Sequence, residues 1–146
     1  MPSRKALIVA ASLFAVGCAP TPPVAPAGSA ALVGSKWQLV SFQSSDDTIG
    51  TIRPMMADQY TIEFLPEGQV AMKLDCNRGS GSWASTGESN LTFSPMATTR
   101  AACPPEPFSN RLPRDFENVR SYVLNGDVLS LALFADGGIY TYQRMR

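Results

Sequence analysis

Three cysteines, and no histidine at all, frame the chemistry open to this chain. Without imidazole it lacks the commonest general base, the commonest metal ligand and every catalytic triad or dyad built on one. Glu63, Asp75 and Glu88 are scattered along the sequence, and Asp46-Asp47 lacks the spaced ligands that calcium requires. Gly79-Ser80-Gly81 is not a phosphate loop, because no Gly-Lys-Ser/Thr follows it. Asn90-Leu91-Thr92 matches a glycosylation acceptor pattern and reads as an ordinary turn or solvated face. No catalytic residue, metal set or cofactor is therefore assigned. A non-enzymatic protein is expected, with a histidine-free carboxylate enzyme as the minor alternative.

The first cysteine closes an export signal. Arg4 and Lys5 precede the apolar run Ala6 to Val16, which only Ser12 interrupts. That run is too short to span a bilayer, which takes about 20 residues, and fits the h-region of a signal peptide. Ala15-Val16-Gly17-Cys18 resembles a bacterial lipobox, with Ala at the position that usually holds Leu. The expectation is cleavage after residue 17 and acylation of Cys18, with plain secretion as the alternative. Each buried acyl methylene contributes about 0.8 kcal/mol, so two or more chains make a stable anchor. Residues 18–31 then form a tether rich in proline and alanine, extending roughly 40 Å if polyproline-like. Ala19, rather than Asp, follows the acylated cysteine, which resembles the default for the outer membrane, with the domain facing the periplasm.

The elements that follow must form one domain, since the chain has 146 residues. Twelve basic residues balance twelve acidic ones, and the pI is about 6.2, which gives no electrostatic footprint for nucleic acid. Loss of Arg4 and Lys5 with the signal leaves a slight acidic excess. At 45% apolar and 16% charged, the chain as a whole is too hydrophobic to be disordered throughout.

Alternation predicts strands. Trp37 and Leu39 share one face of a strand over Lys36 to Phe42. Tyr60, Ile62 and Phe64 alternate with Thr61 and Glu63, and Leu65-Pro66-Glu67-Gly68 reverses the chain. Val70, Met72 and Leu74 follow, with Cys76 at the same parity and so expected on the same buried face. Arg78 to Gly81 reads as a glycine-serine turn into Trp83. Leu91 and Phe93 mark a further strand. Asn125-Gly126 reads as a type I′ hairpin turn before Leu129, Leu131 and Leu133, and Asp136-Gly137-Gly138 turns into Ile139 to Tyr142. Leu112, Phe116 and Val119 predict a short amphipathic helix over Pro113 to Ser121. The fold class is mainly β (α+β): an antiparallel, barrel-like sheet of about eight strands with one packed helix. Ser44 to Gln59 is a long connection whose Met55-Met56 pair is expected to pack beneath it, with a sticky surface as the alternative.

In an oxidising compartment Cys76 and Cys103 most simply join each other. Closing that 27-residue span is worth roughly 3.5 kcal/mol in the chain-entropy picture. A reactive thiol or a metal site is the alternative, and neither has a histidine to complete it.

Asp75-Cys76-Asn77-Arg78-Gly79-Ser80-Gly81-Ser82-Trp83 resembles the strand-turn motif of META domains, the HslJ-like family. Trp37-Gln38-Leu39, Ile62-Glu63-Phe64, Met96 to Pro104 and Gly126 to Leu131 continue the likeness in family order, over about residues 33 to 144. Asp75 departs from the glycine usual there, and Pro107 and Pro113 interrupt the region of the family's longer helix. The resemblance implies an antiparallel barrel with a packed helix, and an envelope or secreted protein linked to envelope stress and antibiotic tolerance. It brings no catalytic mechanism. Asn77, Arg78, Thr98, Thr99 and Arg100 match motif positions and either brace tight turns or form a binding site. Asn77, Arg78 and Trp83 are the candidate binding residues, for an envelope protein or small ligand. The function expected is support of outer-membrane integrity or stress tolerance through such binding. The alternative is a tethered inhibitor of an envelope-acting enzyme such as a lysozyme or protease.

Overall fold

A computed structural model describes residues 27–146. The expected signal peptide, the acylation site Cys18 and the tether up to residue 26 lie outside the described residues. After one helical turn, α1 (Ala27–Ala30), the chain runs β1 (Lys36–Gln43), β2 (Thr51–Ile52), β3 (Tyr60–Phe64), β4 (Gln69–Leu74), β5 (Asn77–Thr86), β6 (Asn90–Phe93) and β7 (Ala97–Thr98). The short helix α2 (Leu112–Phe116) then leads into β8 (Val119–Asn125), β9 (Val128–Leu133) and β10 (Ile139–Arg144).

Eight of these strands close an antiparallel barrel in the order β1-β3-β4-β5-β6-β8-β9-β10, and β10 returns to pair with β1. The two remaining strands are short additions, β2 on the end of β1 and β7 beside the start of β5. Apolar residues point inward and polar ones outward, the reverse of a lipid-facing barrel. Period-two alternation does most of this: Val70, Met72 and Leu74 are buried on β4, and Leu129 and Leu131 on β9. In β1 strict alternation would bury Ser41 and expose Phe42. The register against β10 shifts between Leu39 and Ser41, so Phe42 is fully buried and Val40 stands out. This is the work of a bulge: one extra residue resets the parity of everything after it.

The interior is filled by aromatic rings. Trp37, Phe42, Tyr60, Phe64, Tyr140 and Tyr142 are essentially inaccessible. Phe64 lies 5.2 Å edge-on to Trp83, and Phe42 4.5 Å from Tyr140. One mouth is closed by the segment around α2, whose Phe108, Leu112 and Phe116 are fully buried. A single carboxylate oxygen, Asp115 Oδ2, latches it: it accepts from Tyr140 Oη at 2.6 Å and Arg111 Nε at 2.8 Å. The Arg111 guanidinium in turn lies 4.1 Å over the Phe42 ring. Beyond α1, Leu32 is buried, and Ser35 links its carbonyl to Trp37 Nε1.

Three sequence expectations are corrected. The helix ends at Phe116, and Val119 to Ser121 belong to β8, where Val119 pairs with Leu133 and the Phe134 N–H donates to the Asn118 carbonyl. The apolar spacing was right about burial, but β-branched Val119 is captured by the sheet. The β8–β9 hairpin is present, yet Asn125 pairs with Val128, so Gly126-Asp127 form the loop and Gly126 supplies the positive φ of 58°. The glycine-serine run at 78–81 is strand, not turn. A Cβ on Gly81 would stand 2.7 Å from Met96 Sδ, and one on Gly79 3.1 Å from Leu74 Cδ1. These glycines admit a close neighbour instead of bending the chain.

Two predictions follow from packing. A Cβ on Gly138, at φ 120°, would meet the Gln43 carbonyl at 2.6 Å and the buried Phe42 ring. Gly138→Ala should cost at least about 2 kcal/mol in urea unfolding, against about 1 kcal/mol for Gly126→Ala, whose surroundings are open. Burial raises the phenol pKa values of Tyr140 and Tyr142 above the usual range, for Tyr140 reinforced by its bond to Asp115 and that carboxylate's charge. Below about pH 10 both states hold these protons; above it the unfolded chain loses protons that the folded one retains. Stability should therefore be flat across neutral pH in these groups and fall as pH rises past about 10, more steeply than in Tyr140→Phe.

Candidate functional site

The β4–β5 hairpin turns on Asp75 and Cys76, between the paired residues Leu74 and Asn77. Asp75 has φ 60°, which explains why glycine suits this position. The turn also breaks the parity of β4. Cys76 is exposed on the hairpin tip, not buried below Leu74 as alternation suggested. From there it forms a disulfide with Cys103, with the Cα atoms 5.7 Å apart. Gln59 holds the other side of the turn, its Nε2 donating to Asp75 Oδ1 at 3.1 Å and its carbonyl accepting the Asp75 N–H.

Asn77 reads as a brace. Its Oδ1 accepts from the Ala101 N–H at 2.7 Å and from Thr99 Oγ1 at 2.8 Å. Its Nδ2 donates to the Ala101 carbonyl at 3.1 Å and approaches Cys103 Sγ at 2.9 Å. One amide thus holds the loop carrying the partner cysteine. Thr99 completes the clamp with two bonds to the Arg78 backbone, and Thr98 pairs with Gly79 in β7. Arg100 is exposed.

Arg78 is different. Its backbone is pinned but its side chain is exposed and makes no hydrogen bond or ion pair among the described residues. Directly opposite, across the β4–β5 ladder, stands Lys73. Both line an outer groove of about 430 Å³ with Lys36, Thr61, Glu63 and Asp75. Lys36 is 3.5 Å from Glu63 Oε2, and Lys73 3.4 Å from Asp58 Oδ2.

The remaining candidates separate from this place. Trp83 lies inside the barrel against Phe64 and offers no flat surface beside Arg78, because the two residues have opposite parity on β5. Its Nε1 is buried with no hydrogen-bond partner among the described residues. Met55 and Met56 are 78% and 60% exposed and do not pack beneath their loop. Asp46 accepts from Thr48, which lowers its pKa and accounts for it as a turn residue. Asp75, Cys76 and Cys103 bring ligand-type atoms within 4.8 Å of one another, but both sulfurs are already bonded to each other and offer no thiolate. Lys36, Gln59 and Lys73 were not singled out from sequence. Lys73 had an outward parity that marked it as exposed, but only the strand register brings it opposite Arg78.

The division between brace and free cation is measurable. Asn77→Ala should lower unfolding stability by about 2 kcal/mol, the net worth of several lost bonds. Reduction of the disulfide should cost roughly 3.5 kcal/mol. Arg78→Ala should change stability by no more than about 0.5 kcal/mol, as for a surface substitution.

Comparison with known proteins agrees with this architecture. The META domain family model matches residues 30–145. Among solved structures, a DUF4847 family protein from Bacteroides vulgatus ATCC 8482 is similar in fold, with a TM-score of 0.55 and 14% sequence identity, covering 77% of this chain and 93% of that one. A search of curated proteins returns no match. Matched from the turn before β1 to the end of β10, the chain belongs to the META domain family.

Proposed function

We propose that this chain is a lipid-anchored, non-enzymatic protein of the bacterial envelope, held to the outer membrane through Cys18 and facing the periplasm. It supports envelope integrity or stress tolerance by binding a protein or a small ligand on the outside of its barrel. The observation that carries the binding role is Arg78: a cation without an anionic partner among the described residues, displayed on a hairpin stapled by a disulfide and clamped by Asn77. A rigid segment holding a free guanidinium loses little entropy on binding, and arginine is enriched among residues that dominate interface energy. The interior is occupied by the protein's own side chains, so a ligand has the outer wall to bind. The exposed, rigid hairpin tip also suits an inhibitory element inserted into an envelope-acting hydrolase, which is the second reading.

The anchor is tested by metabolic palmitate labelling: the wild type should be labelled and Cys18→Ser should not, and equal labelling would overturn the lipoprotein assignment. For binding, the tethered protein is used to recover partners from envelope extract. Arg78→Ala should lower recovery at least about fivefold, the equivalent of about 1 kcal/mol, while leaving the melting temperature nearly unchanged. Undiminished recovery would move the site away from this hairpin. A hydrolase as the dominant partner would favour the inhibitory reading.

A further inference from the structure

The groove beside Arg78 has a floor and walls of defined chemistry. Strand register sets two rows across the outer wall. One runs Thr61, Lys73, Arg78 and the other Lys36, Glu63, Ala71, across β3 to β5 and the start of β1. Thr61 and Ala71 are short, and the long charged side chains around them leave the depression of about 430 Å³. That size lies in the range of small-ligand sites.

Lys73 and Arg78 are a like-charged pair directly across an antiparallel ladder, an arrangement that costs stability unless an anion offsets it. Lys73 has Asp58, but that carboxylate is itself 72% exposed, and Lys36 has Glu63. Arg78 has none among the described residues. Around the same groove, Glu63 and Asp75 contribute negative charge, and Asp75 Oδ2 is buried with no hydrogen-bond partner among the described residues. A polyanion would be repelled by these two carboxylates. A single planar carboxylate matches the arginine fork in bidentate fashion, with Lys73 as a second point charge. A ligand that also carries N–H groups would find acceptors in the two acids.

Resting on the binding role assigned to Arg78 above, we propose that this groove is a site for the carboxylate of an amino acid or short peptide, gripped between Arg78 and Lys73, with its N–H groups towards Glu63 and Asp75. The backbone at Arg78 is held by the Lys73 pairing on one side and by both Thr99 bonds on the other. The fork is therefore presented from a fixed base and the site is preorganised.

The test is an NMR titration of the full-length chain with N-acetyl-alanyl-alanine, its methyl ester, and inorganic phosphate. The free-acid dipeptide should shift the Lys73, Arg78 and Gly79 amide signals saturably. Esterification should weaken binding about tenfold or more, as expected on losing a charge-assisted bidentate contact. Arg78→Ala and, separately, Lys73→Gln should each do the same, while retaining the folded spectrum. Arg78→Lys should recover only part of the loss, because the fork is gone. Equal titration by acid and ester, equal titration of the wild type and Arg78→Ala, or no saturable shift overturns the proposal. Phosphate binding as tightly as the dipeptide overturns the carboxylate assignment. If Arg78→Ala abolishes partner recovery from envelope extract but the dipeptide never titrates, the ligand class fails while the binding role of the hairpin stands.

Discussion

The space inside the barrel is the constraint on which the rest depends. Eight strands enclose an interior just wide enough for side chains. Here the six large rings of Trp37, Phe42, Tyr60, Phe64, Tyr140 and Tyr142 occupy it. Every feature of the wall serves that filling. The β1 bulge exists so that Phe42 points in. Gly138 has no side chain because Phe42 and the Gln43 carbonyl already hold the space. The α2 segment supplies the rings that close the mouth, and Asp115 fixes it there by serving Tyr140 and Arg111 at once. A core made this way leaves the outer wall and loops to carry interactions.

On that outer wall two adjacent residues of one motif have opposite duties. Asn77 spends its whole amide on the chain near Cys103. Arg78 spends only its backbone and leaves its guanidinium to solvent. The separation follows from parity: at the start of β5 one side chain turns over the barrel rim towards the clamped loop, and the next turns out over the sheet. The disulfide and the amide act on the same short span, so the rigidity of the hairpin comes from two independent sources.

Much of this was legible before the structure. Alternation identified β3, β4 and β9, and the turn residues located the β3–β4 and β9–β10 hairpins and, one residue early, the β8–β9 hairpin, but not the β4–β5 turn at Asp75-Cys76. The cysteine pair and Asn77 stood out by residue type and motif. What escaped were events that reset the period. A positive φ at Asp75 turns Cys76 outward, an extra residue at Val40 turns Phe42 inward, and Gly79 and Gly81 sit in a strand because Leu74 and Met96 crowd it. Each depends on a neighbour distant in sequence or on backbone geometry that residue type alone does not dictate. The like-charged pair Lys73 and Arg78 was hidden for a similar reason: facing each other is a property of register. Trp83 was misplaced by treating the run before it as a turn, which erased its parity relative to Arg78.

The seam between β1 and β10 joins the first long strand to the last, and the Met145 N–H still donates to the Lys36 carbonyl beyond it. A ribosome makes β1 about a hundred residues before its partner exists. Until then β1 has β3 on one side and an unsatisfied edge on the other, and β9 waits with a second. Closure is therefore the last pairing the barrel can make, and it is slow by nature because it spans nearly the whole domain. Any event that removes β10, a stalled ribosome or a cutting protease, leaves a half-made barrel with two sticky edges and an opened aromatic core. The integrity of the six residues of β10 is thus a quality check on the strands that precede them.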